Sequence, residues 1–207
     1  MAGRARFLSH LETVDMLLGA LRRAGFEIAL SRGPKPRPVI ALAFPRAVGV
    51  ESLAELADVE LLGDHDPIDV GERLANRLPF GVTVVGVAES EGRRAAAQVQ
   101  AIRYAADVAD DLDWDAALAA FSAAPEAVVT RNAPGKPDKR VDVKRFCATP
   151  RHEPGRLVFE IELSGEGSAR PEEVVHAVAA AIGATPTISR LVRTQIVLRD
   201  QPAGVPQ

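Results

Sequence analysis

The sequence predicts an α+β protein of two small tandem domains. Three observations lead there. First, the order of elements repeats on either side of a polar stretch, ESEGRRAA at residues 89–96: helix, strands, helix, strand before it, and strand, helix, strands, helix, strand after it. Second, several strand-length segments alternate apolar and polar residues, as half-buried antiparallel strands do. Third, no Gly-rich loop follows any strand, which argues against a nucleotide-binding parallel sheet. This split βαβ order is that of the ferredoxin-like plait. Residues 1–90 and 97–199 are therefore expected to be two ferredoxin-like domains, the first lacking its opening strand.

The first helix has the clearest local signals. Ser9 and Glu12 form an S-x-x-E capping box, and Leu11, Val14, Leu17, Leu18 and Leu21 recur on one predicted apolar face. Arg22 and Arg23 complement the dipole in the last turn, and Gly25 supplies the left-handed stop. Phe26–Leu30 and Val39–Phe44 read as strands. Between them lies SRGPKPRP, where Pro34, Pro36 and Pro38 fix alternate φ angles and hold the preceding residues extended. That loop is stiff and presents Arg32, Lys35 and Arg37 outward. A third strand is expected at Ala57–Leu62. Asp66 and Pro67 then start a helix with Val70, Leu74 and Leu78 on one stripe, ended by Pro79. Phe80–Ala88 reads as a strand and Glu89–Ala96 as the linker.

In the second half, Gln98–Val108 reads as a strand. Asp113 opens a helix carrying Trp114, Leu118 and Phe121, with Trp114 read as core rather than as a stacking platform. Ala127–Arg131 is a short strand before the turn NAPGKPDK. Arg140–Phe146 and Leu157–Leu163 alternate cleanly, the second around Glu160 and Glu162. A last helix starts at Pro171 with Glu172 and Glu173, buries Val174, Val178 and Ile182, and stops at Gly183. Ile188–Leu198 is the final strand, and QPAGVPQ a frayed tail.

Composition narrows the function. No apolar run reaches the ~20 residues that cross a bilayer, and no signal peptide is legible, so a cytoplasmic protein with no membrane partner is expected. A single cysteine, Cys147, precludes a disulfide framework and suits that compartment. It also precludes an iron–sulfur cluster held by this chain alone, which takes three or four thiolates. No cofactor and no metal site is expected: Asp64, His65, Asp66 and Asp69 read as an acidic turn with a helix cap rather than a ligand set. Cys147 with His152 reads as an ordinary buried thiol near a histidine. The net charge of −3 conceals two basic segments, 1–50 and 130–156, each with eight Arg/Lys against three acids. Such segments either form a phosphate-binding surface or are neutralised by the intervening acidic ones.

Taken together, RFLSHLE, ALRRAG, the SRGPKPRP turn, GVES and ISRLVRTQIVL resemble the DUF2344 family of radical SAM-associated proteins. The family's loop usually reads S-x-G-F-x-P-H-P; Pro34 stands here for the aromatic and Arg37 for the histidine. The resemblance implies a strand before the RFLSH motif, where only MAGRA precedes it. It also implies a partner, a radical SAM enzyme of the B12-binding type. The expected function is a non-catalytic accessory protein that binds or presents an anionic substrate, RNA being the favoured class. Its anion-reading residues are Arg6, Ser9, His10, Arg32, Lys35 and Arg37, around a helix start and a basic loop. Two alternatives stand beside it: a metal-independent RNA-processing enzyme with His10 as general base, and a purely structural scaffold.

Overall fold

The computed structural model describes residues 1–90, 92, 94–133 and 135–199. The chain divides into two compact units, one spanning Met1–Val99 and taking back the chain from Leu198, the other Gln100–Val197. The architecture is mixed α+β with antiparallel pairing.

In the first unit a 3-10 turn, Gly3–Phe7, leads into helix α1, His10–Arg23. Short strands β1 (Ile40–Leu42), β2 (Glu51–Ser52) and β3 (Ala57–Val59) precede α2, Pro67–Ala75, and a four-residue helix α3, Ala95–Gln98, closes the unit. The capping box forms as expected: the Glu12 amide donates to Ser9 Oγ, 3.3 Å, and the Ser9 amide to Glu12 Oε2, 2.8 Å. At the other end Gly25 adopts φ +84°. Its amide donates to Arg22 O, and that of Phe26 to Leu21 O, closing a Schellman turn. Phe26 and Leu21 thereby enter the same cluster, with Ala20, Ala24, Val70 and Leu74. The Arg73 guanidinium lies 4.1 Å over the Phe26 ring and donates to Ala24 O, bolting α2 to the end of α1.

Four expectations for this unit change. Leu11 is 72% exposed, because only the C-terminal half of α1, with Leu17, Ala20 and Leu21, faces the cluster. Phe26–Leu30 is reduced to two single bridges, Ile28 to Leu61 and Leu30 to Pro38. Phe80–Ala88 forms no strand although Val84 packs on the cluster, because no segment among the described residues offers it a hydrogen-bond ladder. The stretch expected as a linker runs into α3, whose Ala95 amide donates to Asp58 Oδ2 at 2.7 Å; the stretch's Glu91 and Arg93 lie outside the described residues.

The second unit runs β4 (Val99–Val108), α4 (Trp114–Ala123), β5 (Val128–Ala133), β6 (Lys136–Asp142), β7 (Cys147–Glu153), β8 (Arg156–Glu162), α5 (Pro171–Ala180) and β9 (Ile188–Leu198). Its sheet has the order β9-β4-β8-β7, and β5 and β6 form a separate hairpin. The alternation in β8 is observed: Leu157, Phe159 and Ile161 are buried, with Phe159 stacked on Tyr104 of β4 at 5.9 Å. Trp114, Val174 and Val178 are core residues, and α4 packs on α5. The strand expected over Arg140–Phe146 ends early. Asp142 Oδ1 accepts from the Ala127 and Lys144 amides and turns the chain into a 3-10 segment, Val143–Arg145. The next strand, β7, carries Pro150 at a register shift on the sheet edge, where a missing N–H is tolerated. The expected tail, residues 201–207, lies outside the described residues.

Arg131 and Glu173 form a bidentate pair at 2.5 and 2.6 Å, and Glu173 also caps the Arg170 amide. Burial alone raises the Glu173 pKa, but the bonds from Arg131 and the Arg170 amide outweigh it and hold the carboxyl below its ordinary range. A depressed folded pKa contributes stability above the unfolded value and loses it as pH falls through the folded one. E173Q is therefore expected to cost about 1 kcal/mol near neutrality and to narrow that gap below about pH 4, read from urea unfolding at several pH values. Equal destabilisation of E173Q at pH 3 and pH 7 contradicts the pairing.

Candidate functional site

Residues 31–37 are all exposed and form a closed loop at the tip of an antiparallel turn. The Ser31 amide donates to Arg37 O at 2.8 Å, and the Arg37 amide returns to Ser31 Oγ at 3.0 Å. Just below, the Val39 amide donates to Ala29 O, and Gly33 takes φ +131°, a conformation that favours glycine. With Pro34 and Pro36 inside it and Pro38 directly after, the loop has little freedom left to lose on binding. Among the described residues, no carboxylate pairs with Arg32, Lys35 or Arg37.

The other expected residues gather at the start of α1. Ser9 spends its hydroxyl on the cap, and His10 is the first helical residue, with its Nδ1 buried and unbonded. Arg6 pairs with Glu51 at 3.1 Å and lies 4.9 Å over the Phe7 ring. Arg6, Ser9 and His10 thus form one group and the loop cations another; no hydrogen bond or ion pair joins the two groups among the described residues.

What holds the first group is Arg46, which the sequence reading did not single out. Its side chain is 4% exposed and pairs with Glu55 through Nε at 3.3 Å. Nη1 donates to Arg6 O at 2.7 Å, Ala47 O at 3.2 Å and Val50 O at 2.5 Å. Nη2 donates to Ala5 O and Leu8 O at 3.4 and 3.3 Å. One planar, always-charged fork therefore ties the backbone of Ala5, Arg6 and Leu8, at the start of the RFLSH segment, to that of Ala47 and Val50. The only sequence sign of it is an arginine between apolar residues in FPRAV, a weak signal.

The other candidate clusters have structural duties. His65 Nε2 bonds Leu62 O and its ring meets Phe26 edge-on at 5.2 Å. Asp66 caps α2 through the Ile68 amide, and Asp69 pairs with Arg73 at 3.0 Å. In the second basic segment, Arg131, Arg145 and Arg156 pair with Glu173, Glu166 and Asp107, and Lys144 donates to the Ser122 and Ala124 carbonyls. Cys147 and His152 face Ile161 and Leu157 across the β7–β8 ladder, four residues apart on β8 or about 13 Å, too far for a thiolate–imidazole pair. His152 instead stacks on Trp114 at 6.0 Å.

Burial pushes the Cys147 thiol up to about 12, so the nucleophilic thiolate is scarce at neutral pH. Iodoacetamide at pH 8 is expected to label the native protein at least ~100-fold more slowly than the urea-unfolded chain. Comparable rates would place the thiol in solvent.

Fold and site together define a small α+β protein with a closed, exposed basic loop and an arginine-anchored helix start. The chain belongs to the DUF2344 family, described as "Uncharacterized protein conserved in bacteria", whose model matches residues 2–174. No curated protein matches it. Among solved structures, one similar chain is in "Crystal Structure of a Cbf5-Nop10-Gar1 Complex". The two are 11% identical with a TM-score of 0.44, and the match covers 89% of this chain and 45% of that one. Among the described residues, no helix is long and apolar enough to cross a membrane.

Proposed function

We propose that this protein is a non-catalytic accessory factor that holds a phosphate-bearing substrate, RNA in the first instance, for a radical SAM enzyme acting in trans. One observation carries the substrate half: Arg32, Lys35 and Arg37 project from a closed, proline-stiffened loop with no carboxylate partner among the described residues, whereas Arg6, Arg46, Arg73, Arg131 and Arg156 are paired. When such cations neutralise the phosphates of a nucleic acid, the counterions condensed on it are released. The partner half rests on the family resemblance and on the lone cysteine, which cannot hold a cluster by itself.

We read the second unit as a split βαβ plait. The sheet order β9-β4-β8-β7 supports this, with the β5–β6 hairpin inserted after α4. The first unit keeps the helix, antiparallel strands and helix of the same plan. The cytoplasm is the compartment where such a factor meets both RNA and a reduced cluster enzyme.

The test is fluorescence anisotropy of a labelled single-stranded RNA against salt, with the loop variants described in the Discussion, alongside co-purification with a radical SAM enzyme. RNA that is bound and left intact supports the reading. RNA cleavage abolished by H10A would replace it with the processing-enzyme alternative. Absence of RNA binding together with co-purification would replace it with the scaffold.

A further inference from the structure

A cavity of about 310 Å³ lies inside the second unit, between the end of α4, the start of β5 and α5. Its wall is apolar: the buried ring of Phe121, Val129, and the small side chains of Ala177 and Ala180. Glu126 and His176 are its polar members, and both are exposed. That volume and lining suit an apolar group held by a few polar contacts.

The edge of β5 beside the cavity is unspent. The Val143 amide donates to Ala127 O, and the register pairs Val129 with Val141. Bonded and non-bonded pairs alternate along an antiparallel ladder. Ala127, Val129 and Arg131 therefore bond towards β6, while Val128 and Thr130 aim their N–H and C=O the other way. Neither has a hydrogen-bond partner on that side among the described residues, and β5 and β6 form a sheet of two strands. Val128 also lines the cavity, so edge and cavity meet at one residue.

We infer that this groove between β5 and α5 takes an extended peptide of a partner protein. The peptide adds a strand to β5 and seats one large apolar side chain, flanked by a basic residue, in the cavity. Three features select that occupant. Outward main-chain groups two residues apart match an extended backbone, whereas a helix has its own amides spent and a small apolar molecule leaves the edge bare. A cavity beside an edge takes side chains from one face of a strand, which are every second residue. Glu126 is the cavity's charged side chain, and no cation pairs with it among the described residues. Lys144, 5.5 Å over the Phe121 ring, is already spent on the Ser122 and Ala124 carbonyls. The rim thus favours Lys or Arg beside the anchor and disfavours a phosphate-bearing chain. The groove belongs to the other unit from the 31–37 loop, and failure of either reading leaves the other standing.

Amide 15N–1H correlation spectra of the full chain test this, titrated with acetyl-Lys-Thr-Phe-Thr-Lys-amide up to about 5 mM, a range that reveals millimolar complexes. Shifts should concentrate at Val128, Thr130, Ala177 and Ala180. Replacing the peptide's Phe by Ala should weaken binding about 30-fold, and its Lys by Glu about 5-fold. E126K should reverse that charge preference, and A180W should abolish binding by filling the cavity. Both positions are exposed, so circular dichroism and melting should match the parent. N-methylating the Phe amide, or the two Thr amides, removes donors from opposite edges of the peptide; one set should cost about 10-fold and the other little. Absence of shifts at that concentration, indifference to both N-methyl sets, or equal binding of the Glu-flanked peptide would each overturn the inference. Shifts confined to the cavity, with the Val128 and Thr130 amides unmoved, would replace the peptide with a small apolar ligand. Single-stranded RNA that moves the same amides would replace it with a nucleic acid.

Discussion

R46A should unfold with a free energy about 3–5 kcal/mol below that of the parent, enough to remove a large share of a small unit's stability. The size follows from what the guanidinium does. Arg46 pairs with Glu55 and donates to five backbone carbonyls, those of Ala5, Arg6, Leu8, Ala47 and Val50. Alanine leaves acceptors in a site where water enters poorly and takes a cation from beside Glu55; each unsatisfied group costs about 1–3 kcal/mol. Because three of the carbonyls belong to Ala5, Arg6 and Leu8, just ahead of α1, the loss should be local as well as global. Amides at the start of α1 should exchange faster even in the fraction that remains folded. R46K separates charge from geometry: an ammonium restores the charge but cannot fork across two sets of carbonyls, so it should recover less than half of the loss. Urea denaturation measures all three proteins. A loss below about 1 kcal/mol for R46A would show that water satisfies those carbonyls and that the arginine is not the anchor.

The triple reversal R32E/K35E/R37E should weaken single-stranded RNA binding by about 100-fold at 0.1 M salt while leaving the melting temperature unchanged. Each phosphate contact to a single strand releases about 0.7 counterion, or ~1 kcal/mol at that ionic strength, so three contacts give about two decades. The slope of log affinity against log salt should flatten by about 2 for the same reason. Stability should hold because 31–37 is exposed and closed by the Ser31 hydroxyl and by backbone groups, none of which the substitutions touch. R22E, on an exposed residue of α1, is the control for a charge reversal away from the loop. A triple variant that binds within about 3-fold of the parent, or no worse than R22E, would remove the loop from the substrate site.

Local chemistry was legible. Ser9 with Glu12, Gly25, and Asp66 with Pro67 act through neighbours a few residues away, and each does in the structure what its sequence signal predicts. Leu157, Phe159 and Ile161 were legible because a period of two survives wherever one face is buried. Phe80–Ala88 and β7 failed in opposite directions. The first has strand-like residues but no ladder; the second has Pro150 and few apolar residues, yet lies beside β8 and takes its register from it. Strand formation depends on a partner distant in sequence, and propensity does not report whether one is present.

The candidate site divides the same way. The sequence alone determined the α+β class, the starts of α1, α2, α4 and α5, the stiffness and charge of the 31–37 loop, and the lack of thiols for a cluster, since each depends on residue type and short spacing. Only the tertiary structure decided which cations are spent. Glu51 takes Arg6, Glu55 and a ring of carbonyls take Arg46, and Glu173 takes Arg131, across separations of 45, 9 and 42 residues. Whether a charge is neutralised is settled by which acid folding brings within about 4 Å of it, and a linear pattern of charges does not encode that distance.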